Sequence, residues 1–168
     1  MPATYEKIAT NTLGSAASSI TFSSIPATYT DLRIVLTATY SATTSSGGQL
    51  SFNGAPSGTL FSYTRLYGQG TSPTTSINSN QPAITPADTS WTLGNTMPDF
   101  YTYDIFSYAG STFKTVLTTN SQDYNGSGST GIKVGLWRST TAITSCVLTA
   151  SVNFATGTTA TLYGILKA

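Results

Sequence analysis

The chain contains no histidine and a single cysteine, and only 8% of its 168 residues are charged, against roughly 25% in an average soluble domain. The missing histidine removes Ser-His-Asp and Cys-His nucleophilic sites, imidazole general bases, and the commonest zinc and non-haem iron ligand sets. With Cys146 alone no internal disulfide can form. Its apolar neighbours read as the surroundings of a buried structural thiol, compatible with assembly in a reducing cytoplasm. Seven basic residues against six acidic leave a net charge of +1 with no basic stripe, which argues against binding nucleic acid or an anionic membrane surface. The opening Met1-Pro2-Ala3-Thr4-Tyr5-Glu6-Lys7 lacks an apolar run of signal-peptide length, and no stretch approaches the roughly 20 apolar residues of a membrane helix. Neither G-x-G-x-x-G nor G-x-x-x-x-G-K-[ST] occurs, so no nucleotide cofactor is expected.

Hydrolysis by a carboxylate pair would have to draw on Glu6, Asp31, Asp88, Asp99, Asp104 and Asp123, and none forms an informative spacing. Asp99 and Asp104 stand five apart, on opposite faces of a regular strand, and Asp31 reads as turn chemistry. No enzyme is expected. Asp123-Tyr124-Asn125-Gly126-Ser127-Gly128 offers oxygens at alternate positions like a calcium loop, but Val134 stands where the bidentate Glu belongs. A polar hairpin tip is the better reading, and no metal is expected. Asn125-Gly126-Ser127 also spells a glycosylation acceptor, without a secretory signal to deliver it.

What is abundant is Ser and Thr, about a third of the chain, together with a period of two. Thr suits strands because its branched β-carbon fits a pleated surface. Ile20 and Phe22 alternate with Thr21 and Ser23; Leu32, Ile34 and Leu36 alternate with Arg33, Val35 and Thr37; Leu50 and Phe52 flank Ser51. Phe113, Thr115 and Leu117 oppose Lys114, Val116 and Thr118, while Ile132, Val134 and Leu136 oppose Lys133, Gly135 and Trp137. Ala142, Thr144, Cys146, Leu148, Ala150, Val152 and Phe154 share one face of a long strand, and Leu162 and Leu166 alternate with Tyr163 and Ile165. Turn signals such as Ser45-Ser46-Gly47-Gly48, Asn53-Gly54-Ala55-Pro56 and Ala109-Gly110 punctuate these runs. No helical stripe appears. The pattern predicts one all-β domain over residues 1–168, an antiparallel two-sheet sandwich of jelly-roll type with about nine or ten strands.

Two segments, Leu60 to Tyr67 and Phe100 to Tyr108, are apolar or aromatic on both faces. Something should cover the second face: a loop packed over the sheet, or another subunit, since Tyr and Phe are enriched at interfaces. From Gly70 to Asp88 three prolines interrupt the alternation, predicting a long surface loop. The candidate subunit contacts are therefore Tyr5 and Ile8, Tyr63 and Tyr67, Tyr101 and Tyr103, and the Pro73, Pro82 and Pro86 loop. Trp91 and Trp137 suit core or edge packing, Trp137 at a sandwich edge under the stem of Arg138, with sugar stacking as the functional alternative.

The wording of both ends adds a resemblance. Tyr5-Glu6-Lys7-Ile8-Ala9-Thr10, Leu13-Gly14-Ser15, Ser19 to Pro26 and Tyr29-Thr30-Asp31-Leu32-Arg33-Ile34, with Trp137-Arg138-Ser139-Thr140, Ala142-Ile143 and Ala160-Thr161-Leu162-Tyr163-Gly164-Ile165, resemble small virion proteins of tailed bacteriophages. The resemblance implies a structural protein made in the host cytoplasm and placed on the capsid exterior. In that role it would be a decoration, or cement, protein docking on the major capsid protein as a homotrimer. The alternative it implies is a tail-fibre or spike tip that binds host surface glycans.

Overall fold

The computed structural model describes residues 4–42, 47–69, 71–85, 97–123 and 128–166. They form eleven strands: β1 (Tyr5–Thr12), β2 (Ala17–Phe22), β3 (Asp31–Ala38), β4 (Gln49–Phe52), β5 (Phe61–Gln69), β6 (Ser72–Gln81), β7 (Asp99–Ile105), β8 (Lys114–Asp123), β9 (Gly128–Trp137), β10 (Cys146–Phe154) and β11 (Thr159–Ile165). No helix occurs among the described residues. All pairings are antiparallel, in an eight-stranded sheet ordered β1-β11-β3-β7-β8-β9-β5-β6 and a three-stranded sheet ordered β2-β10-β4. The expected all-β sandwich is therefore present, with unequal sheets and one strand more than the upper expectation.

The additional strand is β6. The stretch read as a loop because of its prolines instead pairs with β5 from Ser72 to Gln81. Pro73 is tolerated because β6 is an edge strand, where a missing N–H need not break a ladder.

The core is closed by Leu32, Ile34 and Leu36 of β3, Tyr101, Tyr103 and Ile105 of β7, and Ala160 and Leu162 of β11, packed under Ile20, Phe22, Leu50, Cys146 and Leu148 of the small sheet. These positions obey the period of two. Phe52 of β4 meets Phe61 of β5 at 5.7 Å and Trp137 of β9 at 5.3 Å between ring centroids, joining the sheets at one end. At the other end the Tyr40 ring lies tilted against Phe154 at 5.7 Å between centroids and the two residues form a β-bridge, and Ser41 N–H donates to the Asn153 carbonyl. The long strand expected over Ala142 to Phe154 is shorter: β10 begins at Cys146 and its pairing with β2 breaks between Thr149 and Phe154. Asn53, at φ 54°, holds the preceding segment instead, its Oδ1 accepting from Thr144 N–H (2.9 Å) and Ser145 N–H (3.2 Å) and its Nδ2 donating to the Ala142 carbonyl (2.9 Å).

β8 and β9 are turned opposite to what hydrophobicity alone favours. Their buried residues are Lys114, Val116, Thr118 and Asn120, and Ser129, Lys133, Gly135 and Trp137, while Ile132 and Val134 are exposed. Trp137 sets this register. Its indole stacks on Phe61 and meets Phe52 edge-on, not under Arg138, which reaches the Thr59 and Leu60 carbonyls and Asn80. A one-residue slip would put the indole in water and expose the whole inner row. Both lysines have interior partners. Lys114 Nζ donates to the Gly110 (2.7 Å) and Ser139 (3.3 Å) carbonyls, and Lys133 Nζ donates to Thr85 and lies 3.8 Å from the centre of the Tyr63 ring. Burial holds the Lys114 amine below its ordinary pKa.

Among the described residues, Thr118 Oγ1 and Asn120 Oδ1 in this row find no hydrogen-bond partner. Thr118→Val replaces that orphaned hydroxyl by a methyl of the same shape, so it is expected to raise stability by about 1 kcal/mol, read as a higher urea midpoint at unchanged m-value. A midpoint lowered by a similar amount would mean that the hydroxyl has a partner.

Candidate functional site

Because β8 and β9 turn their lysines inward, their apolar residues point out of the sandwich. Register puts Ile77, Thr64, Val134 and Leu117 side by side across β6, β5, β9 and β8, and puts Thr75, Leu66, Ile132 and Thr119 in the next row. Directly opposed residues lie about 5 Å apart, so the two rows form one continuous patch. Ile77 is 78% exposed, Leu66 50%, Val134 50% and Ile132 44%. No charged side chain stands in either row over these four strands. Shallow grooves flank it, one of about 370 Å³ along Ile77 and Val134 and one of about 450 Å³ along Leu66, Pro73 and Ile132. A large contiguous apolar surface on a soluble domain marks an interaction site, whereas scattered apolar residues do not.

The other half of the same face has a different character. Thr10 and Thr161 hydroxyls lie 3.1 Å apart, Thr12 and Thr159 2.9 Å, and Thr102 and Thr119 2.6 Å. Arg33 donates to both carboxylate oxygens of Asp104, which holds the guanidinium pKa above its usual value. The Tyr5 ring lies tilted against Tyr163 at 4.8 Å between centroids, with the Arg33 guanidinium 5.9 Å from the Tyr5 ring centre. These polar groups satisfy one another across the strands and offer little to a ligand.

The residues singled out from sequence divide accordingly. Tyr5 is 42% exposed on β1, and Ile8 is half-buried against the core. Tyr101 and Tyr103 are buried: Tyr101 Oη lies 3.1 Å from Tyr40 Oη, and Tyr103 Oη donates to the Gly48 carbonyl. Tyr63 and Tyr67 face inward on β5, beside Lys133 and Arg65 respectively. These four tyrosines are corrected from contact residues to interior ones, because the inner face of β5 and β7 carries the aromatic set. Pro73 and Pro82 are exposed, and Pro86 and Trp91 lie outside the described residues, as do Tyr124 to Ser127 of the calcium-like motif. Leu66, Ile132 and Val134 were not singled out. The signal for them was the opposition of Ile132 and Val134 to Lys133 and Trp137, which leaves open which face is wet.

Asp99 is buried and Asp104 half-exposed on opposite faces of β7, as their spacing requires, and Asp31 Oδ1 accepts from Ser107 N–H at 2.7 Å. Among the described residues no three His, Cys, Asp or Glu side chains gather where they could hold a metal. Cys146 is fully buried, which pushes its thiol pKa up and keeps it from acting as a nucleophile. No protein-family model, curated protein or solved structure matches the chain.

Proposed function

We propose that this chain is a structural protein of a phage particle, a decoration protein that docks on the major capsid protein and stabilises the shell. The observation that carries the reading is the uncovered, uncharged apolar patch of Leu66, Ile77, Ile132 and Val134 on a rigid sheet. No described loop lies over this patch, so of the two covers that the two-faced segments demand, a partner molecule fits better than a packed loop. A flat sheet face is preorganised and loses little conformational freedom on docking. Repeated copies with few charges also repel one another little on a crowded lattice. The resemblance of both ends to phage virion proteins supports the placement.

A second reading has its own observation. At one end of β7, β8 and β9, Phe100, Gln122 and Asp123 line an open groove of about 620 Å³. An exposed aromatic beside an amide and a carboxylate is suited to a sugar, as in the tip of a tail fibre. Particles lacking the chain separate the two readings. Loss of resistance to heat and osmotic shock with normal adsorption to host cells is the expected result. Normal resistance with lost adsorption would replace the decoration reading by the fibre reading.

A further inference from the structure

We propose that two copies of this chain pair edge to edge through β6, antiparallel about a twofold axis, over the segment Thr74 to Asn78. The two edges of the large sheet differ in a way that indicates which is meant to stay unpaired. β1 carries Glu6 and Lys7 and a register shift between Lys7 and Ala9, and charges and bulges are the usual means of blocking an edge. β6 has ten residues and not one charge, and among the described residues its only strand neighbour is β5. Its blocking features sit at its ends. Pro73 stands at one, and at the other the pairing with β5 shifts between Tyr63 and Phe61, where Asn80 takes φ 56°. Between them, Thr74 to Asn78 present backbone donors and acceptors to solvent on their free side.

The occupant that fits this segment is a second copy of itself. Antiparallel pairing about Ser76 sets Thr75 of one copy opposite Ile77 of the other, a β-branched cross-strand pair on the outer face, and buries no unpaired charge. Ile77, whose 78% exposure is the highest of any large apolar side chain described, then gains a cover on its free flank while its outer side stays on the patch. The small sheet offers no equal edge. Leu50 of β4 already exchanges backbone bonds of 2.8 and 2.9 Å with Ile84, and β2 exposes Ser18 and Thr21 instead of apolar side chains. Joining like edge to like edge requires a twofold. A ring of three built edge to edge would have to seat β6 on the blocked β1 edge, so the pairing proposed here is an alternative to the homotrimer that the resemblance implies. It also makes the apolar patches of the two copies continuous across the axis.

Sedimentation equilibrium of the full chain tests this. The wild type is expected at twice its 17.5 kDa mass. Thr75→Lys with Ile77→Lys is expected to raise the dimer dissociation constant by at least about tenfold, with unchanged circular dichroism, while Lys7→Ala on the opposite edge leaves it unaltered. A monomer at all concentrations, a trimer, or a dimer indifferent to both lysines overturns the proposal. Hydrogen exchange of the wild type gives a check that no variant can spoil. The outward amides of Thr75 and Ile77 should gain protection as concentration rises, and protection independent of concentration overturns it equally. A dimer that fails to bind a shell would retain this inference and remove the docking reading, and a shell-binding monomer would do the reverse.

Discussion

Above about pH 10 the protein is expected to unfold in one cooperative step, with tyrosinate absorbance appearing together with loss of the β-sheet signal. Tyr101 and Tyr103 are buried, and burial, reinforced by the neighbouring Tyr40, holds both phenols well above the ordinary value of 10.0. Cys146 is raised from its ordinary 9.0 by burial as well. A group whose pKa is raised by folding contributes its full stability below the unfolded-state value, and that stability is lost as pH climbs above it, because only the unfolded chain releases the proton. Each such group removes on the order of 1.4 kcal/mol per pH unit, so three together remove about 4. Lys114 has the opposite sign, since its lowered pKa lets stability rise toward the ordinary 10.5, but it is one group against three. A net stability of about 5–15 kcal/mol is then exhausted within a few pH units. Histidine is absent, so nothing comparable happens near pH 6.5. Tyrosinate absorbance that saturates while the sheet signal persists would show that Tyr101 and Tyr103 are open to water.

Phe154→Ala is expected to cost about 3–5 kcal/mol and to lower the melting temperature by roughly 10 °C. Phe154 is fully buried, packs its ring against Tyr40, and closes the β10 end of the sandwich through its bridge to that residue. Because the ring is fully buried, its removal adds a cavity cost to the lost transfer free energy. Phe113→Ala supplies the contrast. Its side chain is 51% exposed, so the same chemical change there is expected to stay within about 0.5 kcal/mol. Equal losses at the two positions, read from thermal unfolding, would mean that the sandwich is not closed by Phe154.

The period of two made most strands legible, because burial on one face of a sheet writes itself directly into alternation. β3 and β11 read cleanly for this reason. β6 did not, since an edge strand needs neither a hydrophobic inner row nor every N–H, and Ser72-Pro73-Thr74-Thr75-Ser76 has the composition of a loop. β8 and β9 were legible in period but not in sense. Lys133 can lie inside because its amine reaches Thr85, and Lys114 because its amine reaches the Ser139 carbonyl as well as the nearby Gly110 carbonyl, and Thr85 and Ser139 are partners distant in sequence. Gly135 is inward for a similar reason: a Cβ there would come within 2.7 Å of Ile84 Cδ1. The aromatic runs put their tyrosines on the inner face, while Leu66 and Phe100 on the outer one are exposed. The outer surface left over is apolar because Leu66, Ile132 and Val134 alternate with those inward residues. Places where local pattern and fold disagree are where a function other than stability is to be sought.

Add-back of purified protein to particles that lack it tests that surface most directly, comparing wild type with a Leu66→Lys, Ile132→Glu variant of equal melting temperature. Saturable binding by the wild type and at least about tenfold weaker binding by the variant is the expected result. Equal binding by both, or none by the wild type, would contradict a docking role for the outward face of β5 and β9.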